Sequence, residues 1–147
     1  MKRTTYILLA SLLFTLGWST VSSAEENRYI IIRNTDSAWI QGLCSLIFRL
    51  DNGGDGEFGH LAITIQLTDK TGHALGEGTL YVDPFGDSNA TRSIDTVTEF
   101  DCDAVEKAKT ITILKATEQQ GNNPPVELPI TTFDPQYYQP LKITIGH

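Results

Sequence analysis

Asp101 and Asp103 flank Cys102, and Asp95 stands four residues before Glu99. Two carboxylates held close together can divide the acid and base roles of a hydrolase, one protonated and the other ionised. In an extended strand each pair falls on one face, so the spacing permits that chemistry. The composition dilutes the signal, because 18 Asp and Glu against 11 Lys and Arg scatter such pairs along the chain. His60, His73 and His147 are the only histidines, and none has the H-E-x-x-H spacing of a helical zinc site. No G-x-S-x-G elbow is present to raise a nucleophilic serine. The expectation is a protein without catalysis, cofactor or metal.

The stretch "LDNGGDGEFGHL", residues 50–61, could be a metal-binding loop, a flexible hinge or only a turn. A helix–loop–helix calcium site needs oxygen ligands at its first, third and fifth positions and a Glu at its twelfth. With Asp51 first, the third position is Gly53 and the twelfth is Ala62, and neither has a side-chain oxygen. The calcium-binding nonapeptide fails as well: Phe58 stands where its Asp belongs, and there is one copy rather than a tandem array. A conformational role explains more. Gly53, Gly54 and Gly56 reach backbone angles closed to other residues. They are the candidate hinge, and a plain mobile loop is the alternative.

The remaining residues with reactive side chains are Cys44 and Cys102. Two cysteines without zinc spacing, in an exported chain, imply one disulfide. It would close a loop of about 59 residues, which a chain-entropy estimate credits with roughly 4 kcal/mol.

The elements that would position these groups follow a period of two. "RYIIIRN" reads as a short strand that ends at a "TDS" turn. "AWIQGLCSLIFRLDN" reads as one long strand over 38–50, with Ile40, Cys44, Leu46, Phe48 and Leu50 on one face and Leu43 and Ile47 on the other. "HLAITIQLTD" points Leu61, Ile63, Ile65 and Leu67 inward, and the turn "DKTG" returns the chain through "HALGEGTLYV" as a hairpin. A loop, "DPFGDSNA", precedes the strand "TRSIDTVTEFDC"; "AVEKA" is long enough for one helical turn, and "KTITILKAT" is the next strand. "EQQGNNPPVELP" reads as a polar excursion, because Pro124 and Pro125 donate no ladder bonds. "PLKITIGH" closes the series. About seven strands with almost no helix predict an all-β sandwich of immunoglobulin or fibronectin-III type.

Lys2 and Arg3, an uncharged apolar run over 4–18, and small residues to Ala24 predict a signal peptide over 1–24, followed by one domain over 25–147. Its removal takes the formal charge from −7 to about −9. That balance excludes the basic footprint that nucleic acid or an anionic membrane requires. The expected location is secreted or periplasmic. Trp39, Tyr81, Phe85, Tyr137 and Tyr138 remain once the core strands are served. The two adjacent tyrosines lie in "DPQYYQP", between prolines that stiffen the loop. Aromatics on stiff loops add contact area at low entropic cost, which makes these five the candidate protein-binding residues. Packing beneath loops is their alternative role.

The order from "L-D-N" through "LAITIQLTDKTGHALGEGTLYV" to an alternating strand ending in Phe resembles the small fibronectin-III-like and FxLYD-type domains of exported bacterial proteins. "I-x-L-x-D-x-x-G-x-x-L" (65–75) carries most of that likeness. Export signal, length, two cysteines and acidic balance are together similar to the IrmA family, the interleukin receptor mimics of pathogenic enterobacteria. The resemblance implies a secreted virulence protein that forms a homodimer by strand exchange and binds host interleukins. It supplies no catalytic residues and no mapped contact positions. A periplasmic chaperone or surface-assembly subunit is the alternative function; recovery in the medium or the periplasm separates the two.

Overall fold

The computed structural model describes residues 27–86, 89–136 and 140–146. The signal-peptide segment, Tyr137, Tyr138 and His147 lie outside them. The element order is β1 (Ile30–Ile40), β2 (Leu43–Asn52), β3 (His60–Thr68), β4 (Ala74–Val82), β5 (Ser93–Asp101), α1 (Cys102–Lys107), β6 (Thr110–Gln119), β7 (Val126–Leu128), β8 (Phe133–Pro135) and β9 (Lys142–Ile145). One sheet runs β5-β2-β1-β8 and the other β4-β3-β6-β7. β9 pairs in parallel with the first half of β6, on the edge where β7 pairs with its second half. The expected all-β sandwich is therefore what forms.

Alternation builds the core. Leu61, Ile63, Ile65 and Leu67 of β3 are buried, as are Leu46, Phe48 and Leu50 of β2 and Ile30 and Ile32 of β1. Ile111 and Ile113 of β6 meet them from the second sheet, while Leu114 points outward. Packing these side chains between two sheets is the principal driving force for the fold.

Three strand assignments change. Residues 30–40 form one strand, with "TDS" serving as a bulge between Asn34 and Asp36 rather than a turn. Asn34 is fully buried there and satisfied: its amide donates to the carbonyls of Asp36 and Ile47 at 3.1 and 2.8 Å. Its oxygen accepts the Leu141 N–H at 2.9 Å. The reversal comes at Gln41–Gly42, where φ is 53° and 88°. Two positive φ values make a two-residue hairpin turn whose twist matches its strands. The stretch read as one strand over 38–50 is thus a hairpin tip, and Ile40 pairs with Leu43 rather than sharing a face with Cys44. Finally, β7 and β8, three residues each, bring the strand count above the expected seven. Both lie on sheet edges beside prolines, where a missing donor is tolerated.

Candidate functional site

The sandwich has two ends of different character. At one end are the glycine-rich segment 53–59, the start of β1 and the end of β6. At the other are the β1–β2 turn, α1 and the β3–β4 turn.

At the glycine end the segment does not join paired strands. It crosses from β2 in one sheet to β3 in the other. The Gly53 N–H donates to the Tyr29 carbonyl at 3.0 Å and the Asp55 N–H to the Asn27 carbonyl at 3.1 Å. The buried Asn52 amide donates to the Gly56 carbonyl at 2.6 Å and accepts the Gly54 N–H at 3.0 Å. A Cβ on Gly54 would lie 1.6 Å from the Asn27 carbonyl oxygen, and one on Gly53 would lie 2.3 Å from the Tyr29 ring. Gly56 has φ +81° with open space around it. In the single chain, Gly54 therefore permits close backbone approach, Gly53 makes room for the Tyr29 ring, and Gly56 supplies a left-handed turn. Beside them the Glu118 carboxylate, nearly fully buried, accepts from Arg28 at 2.7 Å, the Gly59 N–H at 2.9 Å and the Gln120 amide at 2.7 Å. The Arg28 guanidinium also sits 4.3 Å from the centroid of the Phe58 ring. Phe58 stacks on Phe85 at 5.6 Å. Phe85 is only 3% exposed, so it belongs to the core and is removed from the presented aromatics. Its bridge to Phe58 draws it in, a pairing between loops that strand periodicity does not reveal.

The opposite end exposes its apolar groups. Trp39 is 67% exposed and Ile40 64%. Leu43, opposite Ile40, is also exposed. The tip is therefore apolar on both faces, since Trp39 pairs with Cys44 and so faces away from Ile40. Farther down the outer face Ile47 pairs with Val97, itself exposed. Cys44 and Cys102 are disulfide-bonded, which ties β2 at the base of the tip to the first residue of α1. The expected cystine is present, and no free cysteine remains. An open groove of about 350 Å³ adjoins the tip, sharing Leu43 with it. Tyr81 is 74% exposed on β4, apart from Trp39.

Reactive groups do not converge. Among the described residues no three His, Cys, Asp or Glu side chains could together hold a metal. Among the described residues, Asp69 is the one titratable group with a resolved shift, lowered to about 2, chiefly by the Thr71 hydroxyl and then by the His73 N–H. It forms the β3–β4 turn, accepting those donors at 2.7 and 3.0 Å. Among the described residues, no helix is long and apolar enough to cross a membrane.

Residues 30–136 match the model of the family described as IrmA, interleukin receptor mimic protein A. The chain belongs to the IrmA family. A solved structure from Escherichia coli, described as the structural characterization of IrmA, is 50% identical to this chain. The match covers 80% of this chain and 98% of the other, with a TM-score of 0.69. A comparison with curated proteins finds no match. The matched span includes both cysteines and the whole β1–β2 tip.

Proposed function

We propose that this chain is a secreted receptor mimic that engages host interleukins through protein–protein contact and performs no catalysis. The observation that carries the reading is the tip: Trp39, Ile40 and Leu43 stand exposed on a hairpin fastened by the Cys44–Cys102 bond. Large apolar side chains on a rigid element suit a binding hot spot, because little entropy is lost when they are covered. Membership in the IrmA family gives the partner class, and the disulfide fits an oxidising compartment. The experiment is a binding measurement of the mature protein against a panel of human interleukins, with an unrelated fibronectin-III domain as control. Saturable binding to at least one interleukin is expected; binding no greater than the control overturns the reading.

The acting form on this reading is a homodimer made by exchanging the chain before the glycine segment, with Gly53, Gly54 and Gly56 as the hinge. Exchange at a connection between two sheets costs no core contact, because a second copy can supply the same β1–β2 hairpin. The Arg28–Glu118 pair would then form between chains. Sedimentation of the mature protein at micromolar concentration should give a dimer, and a monomer contradicts it.

A further inference from the structure

We infer that the open edge of β4, together with the groove beside it, is a docking site for an extended, basic segment of a protein partner. This goes beyond the proposed function and stands without it: the groove adjoins the tip at Leu43, but β4 and the acidic rim used here are separate from Trp39 and Ile40.

β4 is the last strand of its sheet. The Tyr81 carbonyl points away from β3, since it accepts the Thr96 hydroxyl of β5 at 2.9 Å. The β6 side of the sheet agrees: the Ile113 carbonyl accepts the Gly146 N–H at 2.8 Å, so Ile113 turns its polar groups away from β3. Ile65, its partner in β3, therefore faces β4 and bonds Gly78. Residues of one parity direct N–H and C=O to the same side, so those of Glu77 and Thr79 face outward. Among the described residues they meet no other backbone. β5 of the other sheet lies against the later half of this edge, with its Thr96 hydroxyl on the Tyr81 carbonyl and its Thr98 hydroxyl beside Gly78. The open part is therefore the start of β4, where an added segment would find the N–H and C=O of Glu77.

The chemistry of the edge selects the strand. Natural edges are guarded by lysine, proline or bulges. β4 has a bulge at its start, near Leu75, and then only Glu77 as a guard. The adjoining groove has Phe100, Leu75 and Ala104 for its apolar walls. Gly76 and Gly78 leave room beside the Phe100 ring, where a Cβ on Gly78 would come within 3.1 Å. Glu77, Glu99 and Asp101 line the groove, and none has an ion-pair partner among the described residues. Such a rim repels a second copy of this acidic chain and attracts a basic one. Alternating side chains on the incoming segment would meet the apolar walls of the groove on one face and its acidic rim, Glu77 included, on the other.

The test uses a labelled octapeptide alternating lysine and valine, the same peptide with glutamate for lysine, and the lysine peptide N-methylated at alternate amides. Fluorescence anisotropy with the mature, disulfide-bonded protein should show the lysine peptide binding at least about tenfold more tightly than either control. The double variant Glu77→Gln/Glu99→Gln, which keeps side-chain size, should weaken it by about fivefold with an unchanged melting temperature. Amide exchange at Glu77 should slow in the complex. Equal binding of lysine and glutamate peptides, no loss on methylation, or no binding of the lysine peptide overturns the inference. None of these outcomes touches interleukin binding at the tip, which is measured separately.

Discussion

The two ends of the sandwich are secured by different means. At the glycine end the buried polar groups are partnered: Asn52 bonds the backbone of Gly54 and Gly56, Glu118 accepts from Arg28, Gly59 and Gln120, and the backbone of Gly53 and Asp55 bonds Tyr29 and Asn27 just before β1. At the tip end one covalent bond ties β2 to α1, and the apolar side chains beyond it are left in water. A buried polar cluster is costly if any member is unsatisfied, so the glycine end tolerates little change. An exposed apolar tip adds nothing to the fold. Large apolar residues that the core does not cover are the ones available to a partner.

Breaking the tip's covalent tie should have the largest effect. Cys44→Ser/Cys102→Ser is expected to lose about 4 kcal/mol in denaturant titration, the amount that closing a loop of this size removes from the unfolded chain. A loss below about 1 kcal/mol would mean that non-covalent contacts already hold the tip. Next is Gly54→Ala. Its Cβ would collide with a backbone oxygen, which cannot swing aside as a flexible side chain can, and a cost of about 2–3 kcal/mol is expected. A melting temperature equal to the wild type would show that this end is looser than its hydrogen bonds indicate.

The smallest effect separates both ends from an ordinary surface turn. The Asp69 carboxyl titrates at about 2, below its ordinary 3.8, so it favours the folded state when ionised. That contribution is fully present above about pH 4 and disappears as pH falls through about 2. Carbon-13 NMR titration of the Asp69 carboxyl should give a midpoint near 2, and Thr71→Ala should raise it toward 3.8. An unchanged midpoint in that variant removes the hydroxyl as the cause.

Much of the fold was legible because it rests on local alternation. β3 has the inward residues that period two predicts, β4 returns beside it as the expected hairpin, and the turn at Asp69–Gly72 carries its own chemistry. The disulfide followed from cysteine count and compartment. The tip was not legible for a physical reason: Gln41 adopts a positive φ without being Gly, Asn or Asp, so its turn lacked the usual signature. Apolar runs on both sides then read as one strand. β7 and β8 were too short for periodicity to register. The site divided in the same way. Trp39 and Tyr81 are exposed as candidate binding residues, whereas Phe85 is buried by a loop-to-loop bridge that depends on tertiary packing. Ile40 and Leu43 were missed because their exposure follows from the turn; an x-Gly pair flanked by Trp-Ile and Leu-Cys was the available signal.

On the proposed function the β1–β2 tip is the recognition surface, and the glycine end serves the fold and its exchange rather than recognition. That assignment is tested most directly by the triple variant Trp39→Ala/Ile40→Ser/Leu43→Ser, assayed for binding to the interleukin that the wild-type protein captures and for thermal melting. At least about a tenfold loss of affinity is expected, as for removal of a hot spot, with melting shifted by no more than a few degrees. Undiminished affinity in a variant that melts like the wild type would contradict the assignment.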